Sequence, residues 1–97
     1  MPTVEIYTKT TCPYCWRAKH LLTAKGVEYR EIVVDFGGPE KQVMIQRAKG
    51  RMTVPQIFIG ERHVGGYDDL VVLDREGELL PLLAADPQAG AATSATL

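Results

Sequence analysis

The chain begins with a strand-like segment that runs through a polar turn into a helix-like one, and then repeats the arrangement. Thr3–Tyr7 (TVEIY) alternates, with Val4 and Ile6 on one face, and reads as a strand. Thr10-Thr11-Cys12-Pro13 follows as a turn, and Pro13 suits the first helical position, where a missing N–H costs nothing. Ala18, Leu21 and Leu22 give the next helix one buried stripe, and Gly26 stops it. Glu28–Val34 (EYREIVV) is β-branched and aromatic enough for a second strand. Gly37-Gly38-Pro39 opens a second helix, with Val43, Met44 and Ala48 facing inward and Gly50 at its end. A β-α-β-α order predicts parallel pairing of the two strands through a right-handed crossover.

The second half changes character. Gln56–Ile59 (QIFI) and Arg62–Val64 (RHV) are short strands separated by Gly60-Glu61, a hairpin with a two-residue turn. Gly65-Gly66 follows, with Asp68 as the expected cap of a third helix over Asp69–Arg75. Gly77 interrupts that helix before a last turn near Leu79–Ala84, where Pro81 is tolerable only among the first residues. The sum is an α/β fold of order β-α-β-α-β-β-α on residues 1–85. Asp86–Leu97 (DPQAGAATSATL) is small, polar and aperiodic, and reads as a disordered tail over 86–97.

With 97 residues, one compact core is the limit. A formal charge of -1 gives no broad basic field, so nucleic acid and anionic membranes are poor partners. No segment offers the roughly eighteen continuous apolar residues of a membrane helix. The opening MPTVEIYTKT carries Glu5 and alternates, unlike an export signal, so the expected compartment is the cytoplasm, where thiols stay reduced.

That setting makes the two cysteines informative, because they stand three positions apart at Cys12 and Cys15. A disulfide between them closes a tiny loop and gains little chain entropy, so reactivity explains the pair better than stability. A cysteine at a helix N-cap lies beside unpaired backbone N–H groups and the positive end of the helix dipole, both of which favour a thiolate. An ordinary thiol near pKa 8.5 is only about 3% ionised at pH 7, so such a site multiplies the available nucleophile. Part of that gain is lost, since a less basic thiolate is intrinsically less reactive. Lys9 adds a nearby cation. Cys15, one turn into the helix, falls on the same side and can reach Cys12. The expected division of labour is that Cys12 attacks and Cys15 resolves. A zinc site is a weaker reading, because the other candidate ligands, His20 and His63, lie at no standard spacing.

Cys12-Pro13-Tyr14-Cys15, preceded by Tyr7-Thr8-Lys9, resembles the active-site segment of the dithiol glutaredoxins, and of their short bacterial members in particular. Thr53-Val54-Pro55 resembles the TVP loop of that family, and Gly65-Gly66-Tyr67-Asp68-Asp69 its GG-x-[DS]-D segment. The likeness runs from about Val4 to Leu83. It implies a thioredoxin fold with a four-stranded mixed sheet, a cis peptide bond before Pro55, and a glutathione groove facing the dithiol. It places the glycine carboxylate of glutathione near Lys9 and Gln42, and pairs the backbone of Val54 with the glutathione cysteine. Tyr14, Thr53, Pro55, Gly66 and Tyr67 would line the groove, with Asp68 meeting the γ-glutamyl end. Glutathione enters as co-substrate rather than bound cofactor, with no metal, and a separate glutathione reductase system regenerates it. Partners are disulfide-containing or glutathionylated proteins, and the working unit is a monomer.

The sequence departs from the family pattern in two places. Arg51 is separated from Thr53 by Met52, where many members carry arginine next to the threonine. Tyr67 stands where a cysteine often follows the double glycine. Trp16, just after the motif, reads either as packing beside the site or as part of a docking surface. Three other functions share parts of the pattern. A reductase fed by thioredoxin reductase would not need Lys9, Gln42 or Asp68. A dimeric module holding an iron–sulfur cluster through Cys12 of each chain and two glutathiones is disfavoured by the resemblance, since cluster-binding dithiol members of the family usually carry another residue at the position of Pro13. A pure interaction domain would tolerate loss of Cys12.

Overall fold

The computed structural model of the chain describes residues 3–84; the tail predicted over 86–97 lies outside the described residues. In chain order the elements are β1 (Val4–Thr8), α1 (Pro13–Ala24), β2 (Arg30–Val33), α2 (Pro39–Arg47), β3 (Gln56–Ile59), β4 (Arg62–Gly65), α3 (Tyr67–Arg75) and α4 (Leu79–Ala84). The four strands form one sheet in the order β2-β1-β3-β4. β1 and β2 run parallel, from Glu5 opposite Arg30 to Thr8 opposite Val33, while the β1–β3 and β3–β4 pairs are antiparallel. This is the mixed α/β sheet that the strand and helix order leads one to expect.

Both faces of the sheet are covered. Val4 and Ile6 of β1 join Ile57 and Ile59 of β3 under Ala18 and Leu22 of α1 and Leu70 and Leu73 of α3. On the opposite face Tyr7 and Phe58 pack with Val34, Met44 and Ala48. The Tyr7 and Phe58 rings meet edge to face, with centroids 5.7 Å apart. Fully burying a side chain such as Phe58, Met44 or Leu22 stabilises the fold by about 1.5–3 kcal/mol.

The second face corrects one expectation. Val43 is not on the inner face of α2; it is 45% exposed. Ile45 packs against the cluster in its place, beside Met44 and Ala48. β2 is also shorter than the strand expected over Glu28–Val34: as an edge strand it pairs with β1 alone, over Arg30–Val33. Glu31 on that edge accepts from Thr8 Oγ1 at 2.7 Å and from Lys19 Nζ at 2.9 Å, tying β2 to β1 and α1. These bonds hold its carboxyl below the usual carboxylate range, with the Lys19 contact the largest cause.

Three segments converge beyond the end of β1: the start of α1, the loop before β3 and the start of α3. The last depends on glycine. Gly65 has φ +115°, a conformation L side chains rarely adopt, and a Cβ there would overlap the Asp69 carboxylate. Gly65→Ala should therefore destabilise the protein by about 2 kcal/mol, read as a lowered midpoint in urea with an unchanged slope. A midpoint equal to wild type would show that this turn relaxes freely.

Candidate active site

Cys12 is the N-cap of α1, with extended backbone angles (φ -96°, ψ 108°) and Pro13 in the first turn. Its Sγ accepts the Cys15 backbone N–H at 3.2 Å, so one of the helix's free donors is aimed at the sulfur. Its carbonyl accepts the Trp16 N–H, and its own N–H is held by the Lys9 carbonyl, each at 3.2 Å. Across the site, the thiol of Cys12 lies 3.8 Å from the Val54 carbonyl oxygen. The turn that carries Cys12 is anchored from below: the backbone N–H and hydroxyl of Thr10 both donate to the Asp35 carboxylate.

The two cysteines differ in setting. Cys12 is partly exposed, whereas Cys15 is fully buried. Burial, followed by the hydrogen bond that the Cys15 thiol donates to Cys12, pushes the Cys15 thiol up to about 12. Cys15 is thus a protonated sulfur held beneath an accessible one. Iodoacetamide at pH 7.5 should alkylate Cys12 and leave Cys15 unmodified in the folded protein, as read by peptide mass spectrometry. Equal labelling of both would contradict this arrangement.

A groove of about 360 Å³ opens at the Val54 carbonyl and is lined by Tyr14, Arg51, Thr53, Val54, Pro55, Gly66, Tyr67, Asp68 and Asp69. The Val54–Pro55 peptide bond is cis. The structure therefore gathers Tyr14, the Thr53-Val54-Pro55 loop, Gly66, Tyr67 and Asp68 around one cleft. Tyr14 and Tyr67 face each other with ring centroids 6.1 Å apart, and Arg17 lies over the Tyr14 ring. Lys9 and Gln42 are not among the lining residues; Gln42 is on the exposed side of α2.

Two lining residues were not assigned to the site from the sequence. Arg51 reaches into the groove despite the intervening Met52, with Nη1 3.5 Å from Asp69 Oδ2. Asp69, rather than Asp68, does the capping: α3 starts at Tyr67, its N-cap is Gly66, and Asp69 Oδ2 accepts the Gly66 N–H at 2.9 Å. That corrects the expected cap. It leaves Asp68 exposed on the groove wall in the first turn of α3. The signal for Asp69 was available, because a carboxylate three residues after a cap position is half of a capping box.

An N-cap sulfur over a buried second thiol, on a four-stranded mixed sheet with a cis-proline loop opposite, defines a dithiol oxidoreductase of the thioredoxin fold. The comparisons narrow the class. The family model for glutaredoxin matches residues 4–64. Glutaredoxin 3 of Escherichia coli (strain K12) is 57% identical over 83 residues, which is 86% of this chain and 99% of that protein. Glutaredoxin of Pseudomonas aeruginosa is 56% identical over 85 residues, 88% of this chain and all of the relative. Among solved structures, the glutaredoxin of Brucella melitensis superposes with a TM-score of 0.74 at 52% identity, covering 86% of this chain and 89% of the other. A buckwheat glutaredoxin–glutathione complex superposes with a TM-score of 0.75 at 34% identity, covering 84% and 76% of the two chains. The chain belongs to the glutaredoxin family, and it is a glutathione-dependent thiol–disulfide oxidoreductase acting through the Cys12–Cys15 dithiol.

Proposed function

We propose that the groove beside Cys12 takes glutathione, and that the chain reduces protein–glutathione mixed disulfides in a reducing cytoplasm with glutathione as its electron source. The observation that carries this reading is the shared Val54: its carbonyl faces the Cys12 sulfur at 3.8 Å, and the same residue lines the groove. A peptide laid along Val54 in an extended conformation would bring its own sulfur to Cys12. Asp68 and the start of α3 suit the two ends of an α-amino acid group, the carboxylate of Asp68 meeting the ammonium and the helix start meeting the carboxylate. Arg51 supplies a cation on the same wall. Lys9 and Gln42 keep their proposed role through the family resemblance alone.

The reaction balances in two thiol–disulfide exchanges. The Cys12 thiolate attacks the glutathione sulfur of a mixed disulfide; the protein thiolate leaves and takes up a proton, and Cys12 becomes glutathionylated. The thiolate of a second glutathione attacks that adduct, releasing glutathione disulfide and the Cys12 thiolate. With a protein disulfide, Cys12 forms a mixed disulfide with one substrate sulfur and Cys15 displaces it, leaving a Cys12–Cys15 disulfide for glutathione to reduce.

The decisive assay couples turnover of a small glutathione mixed disulfide to glutathione and glutathione reductase. Sustained turnover is expected there, and none when thioredoxin reductase is the only electron source. The reverse pattern would replace glutathione by a different donor.

A further inference from the structure

Gln56 stands at the start of β3 with no exposed surface, so its side-chain amide must find partners within the protein. It has two. Gln56 Oε1 lies 2.6 Å from His63 Nε2, and Gln56 Nε2 donates to Thr53 Oγ1 at 3.1 Å. A separation of 2.6 Å is short for an N–H···O pair and shorter still against the spacing of two nitrogens, so the amide is placed with its oxygen towards His63.

The direction of each hydrogen bond then follows from chemistry. An amide oxygen only accepts, so His63 carries its proton on Nε2. An amide nitrogen only donates, so the Thr53 oxygen is an acceptor towards Gln56, and the Thr53 hydroxyl proton points away from Gln56. Thr53 lines the groove, whereas Gln56 and His63 do not. His63 is held in place by stacking on Phe58, its partner across β3 and β4, with centroids 4.8 Å apart and planes inclined by 22°. Burial, then the nearby Arg51 charge, pushes the His63 imidazole below its ordinary value, which keeps the ring neutral.

We infer that Gln56 and His63 are positioning residues for the redox groove: they fix the Thr53 hydroxyl as a hydrogen-bond donor to a carbonyl or carboxylate oxygen of the bound substrate. The inference rests on the glutathione reading of the groove. It extends the site across two strands, to residues that touch neither the substrate nor either cysteine.

The test is steady-state kinetics on the full chain with a small glutathione mixed disulfide. His63→Phe keeps a ring on Phe58 and deletes the donor. It should raise KM about fivefold, near the worth of one net hydrogen bond (about 1 kcal/mol at 1.4 kcal/mol per tenfold), with kcat close to wild type and Tm lowered by several degrees, because the buried Gln56 oxygen loses its donor. His63→Gln restores an N–H donor and should return KM to within about twofold of wild type. Thr53→Val should raise KM by a similar factor, and His63→Phe added to it should have no further effect, because both act through one hydroxyl. Multiplicative effects of the two substitutions would overturn the inference, as would an unchanged KM in His63→Phe. So would kcat and KM moving together, which marks a purely structural role.

Proton exchange at the Gln56 side-chain amide, followed by NMR without substrate, separates this inference from the proposed function. Exchange that is slow in wild type and faster in His63→Phe supports the network, and equal rates refute it. Failure of the wild type to use glutathione at all strikes instead at the reading of the groove.

Discussion

Serine in place of Cys12 should abolish turnover of both glutathione mixed disulfides and protein disulfides, leaving less than about one thousandth of the wild-type rate. The hydroxyl of serine is far too weakly acidic to be ionised at neutral pH, and an alkoxide–sulfur bond offers no exchange chemistry. The local structure gives no substitute nucleophile, because Cys15 is fully buried, and burial is the largest cause of its raised pKa. The fold should survive, since an N-cap serine accepts the same backbone N–H that the sulfur accepts from Cys15. Residual activity above a few per cent in the coupled assay, with a normal Tm, would mean that the chemistry does not begin at Cys12.

Cys15→Ser separates the two substrates. Removal of glutathione from a protein needs only Cys12 and a second glutathione, and its rate should stay within about twofold of wild type. Reduction of protein disulfides should fall about a hundredfold, because an intramolecular displacement is replaced by an encounter in solution. The protonated state of Cys15 raises the question of how it attacks at all. Burial is the largest cause, but the next is its hydrogen bond with Cys12, and the charge of Cys12 acts in the same direction. Both contributions disappear when Cys12 enters a mixed disulfide. The inner thiol is thus eased towards ionisation at the step that requires it, and is kept inert before then. Single-turnover kinetics on a protein disulfide would measure this directly. Equal rates in wild type and Cys15→Ser would remove the resolving role.

Much of this was legible in the sequence where a local rule decides the outcome. Pro13 after a polar turn marks the start of a helix, and the helix begins there. The QIFI and RHV segments around Gly60-Glu61 are the β3–β4 hairpin, with Ile59 opposite Arg62. What was not legible depends on packing between elements. Val43, Met44 and Ile45 are consecutive apolar residues, and helical spacing alone does not say whether Val43 or Ile45 turns inward. The position of α2 against Tyr7 and Phe58 selects Ile45. Gln56 shows the same limit more sharply. A polar residue opening a strand predicts exposure, and only the partners His63 and Thr53 explain why it is buried. Arg51 looked displaced from its usual place, yet the loop carries its side chain to Asp69 all the same.

The helix that bears the nucleophile is fastened to the body by a narrow strip: of its twelve residues only Cys15, Ala18 and Leu22 are buried. Tyr14, Trp16, Arg17 and His20 stand exposed on its outer side and take no part in the buried strip. Folding therefore answers to the inner residues of this helix and leaves the outer ones free. Descendants of this chain are free to change the outer side by drift at little thermodynamic penalty, whereas the inner strip leaves almost no room for change.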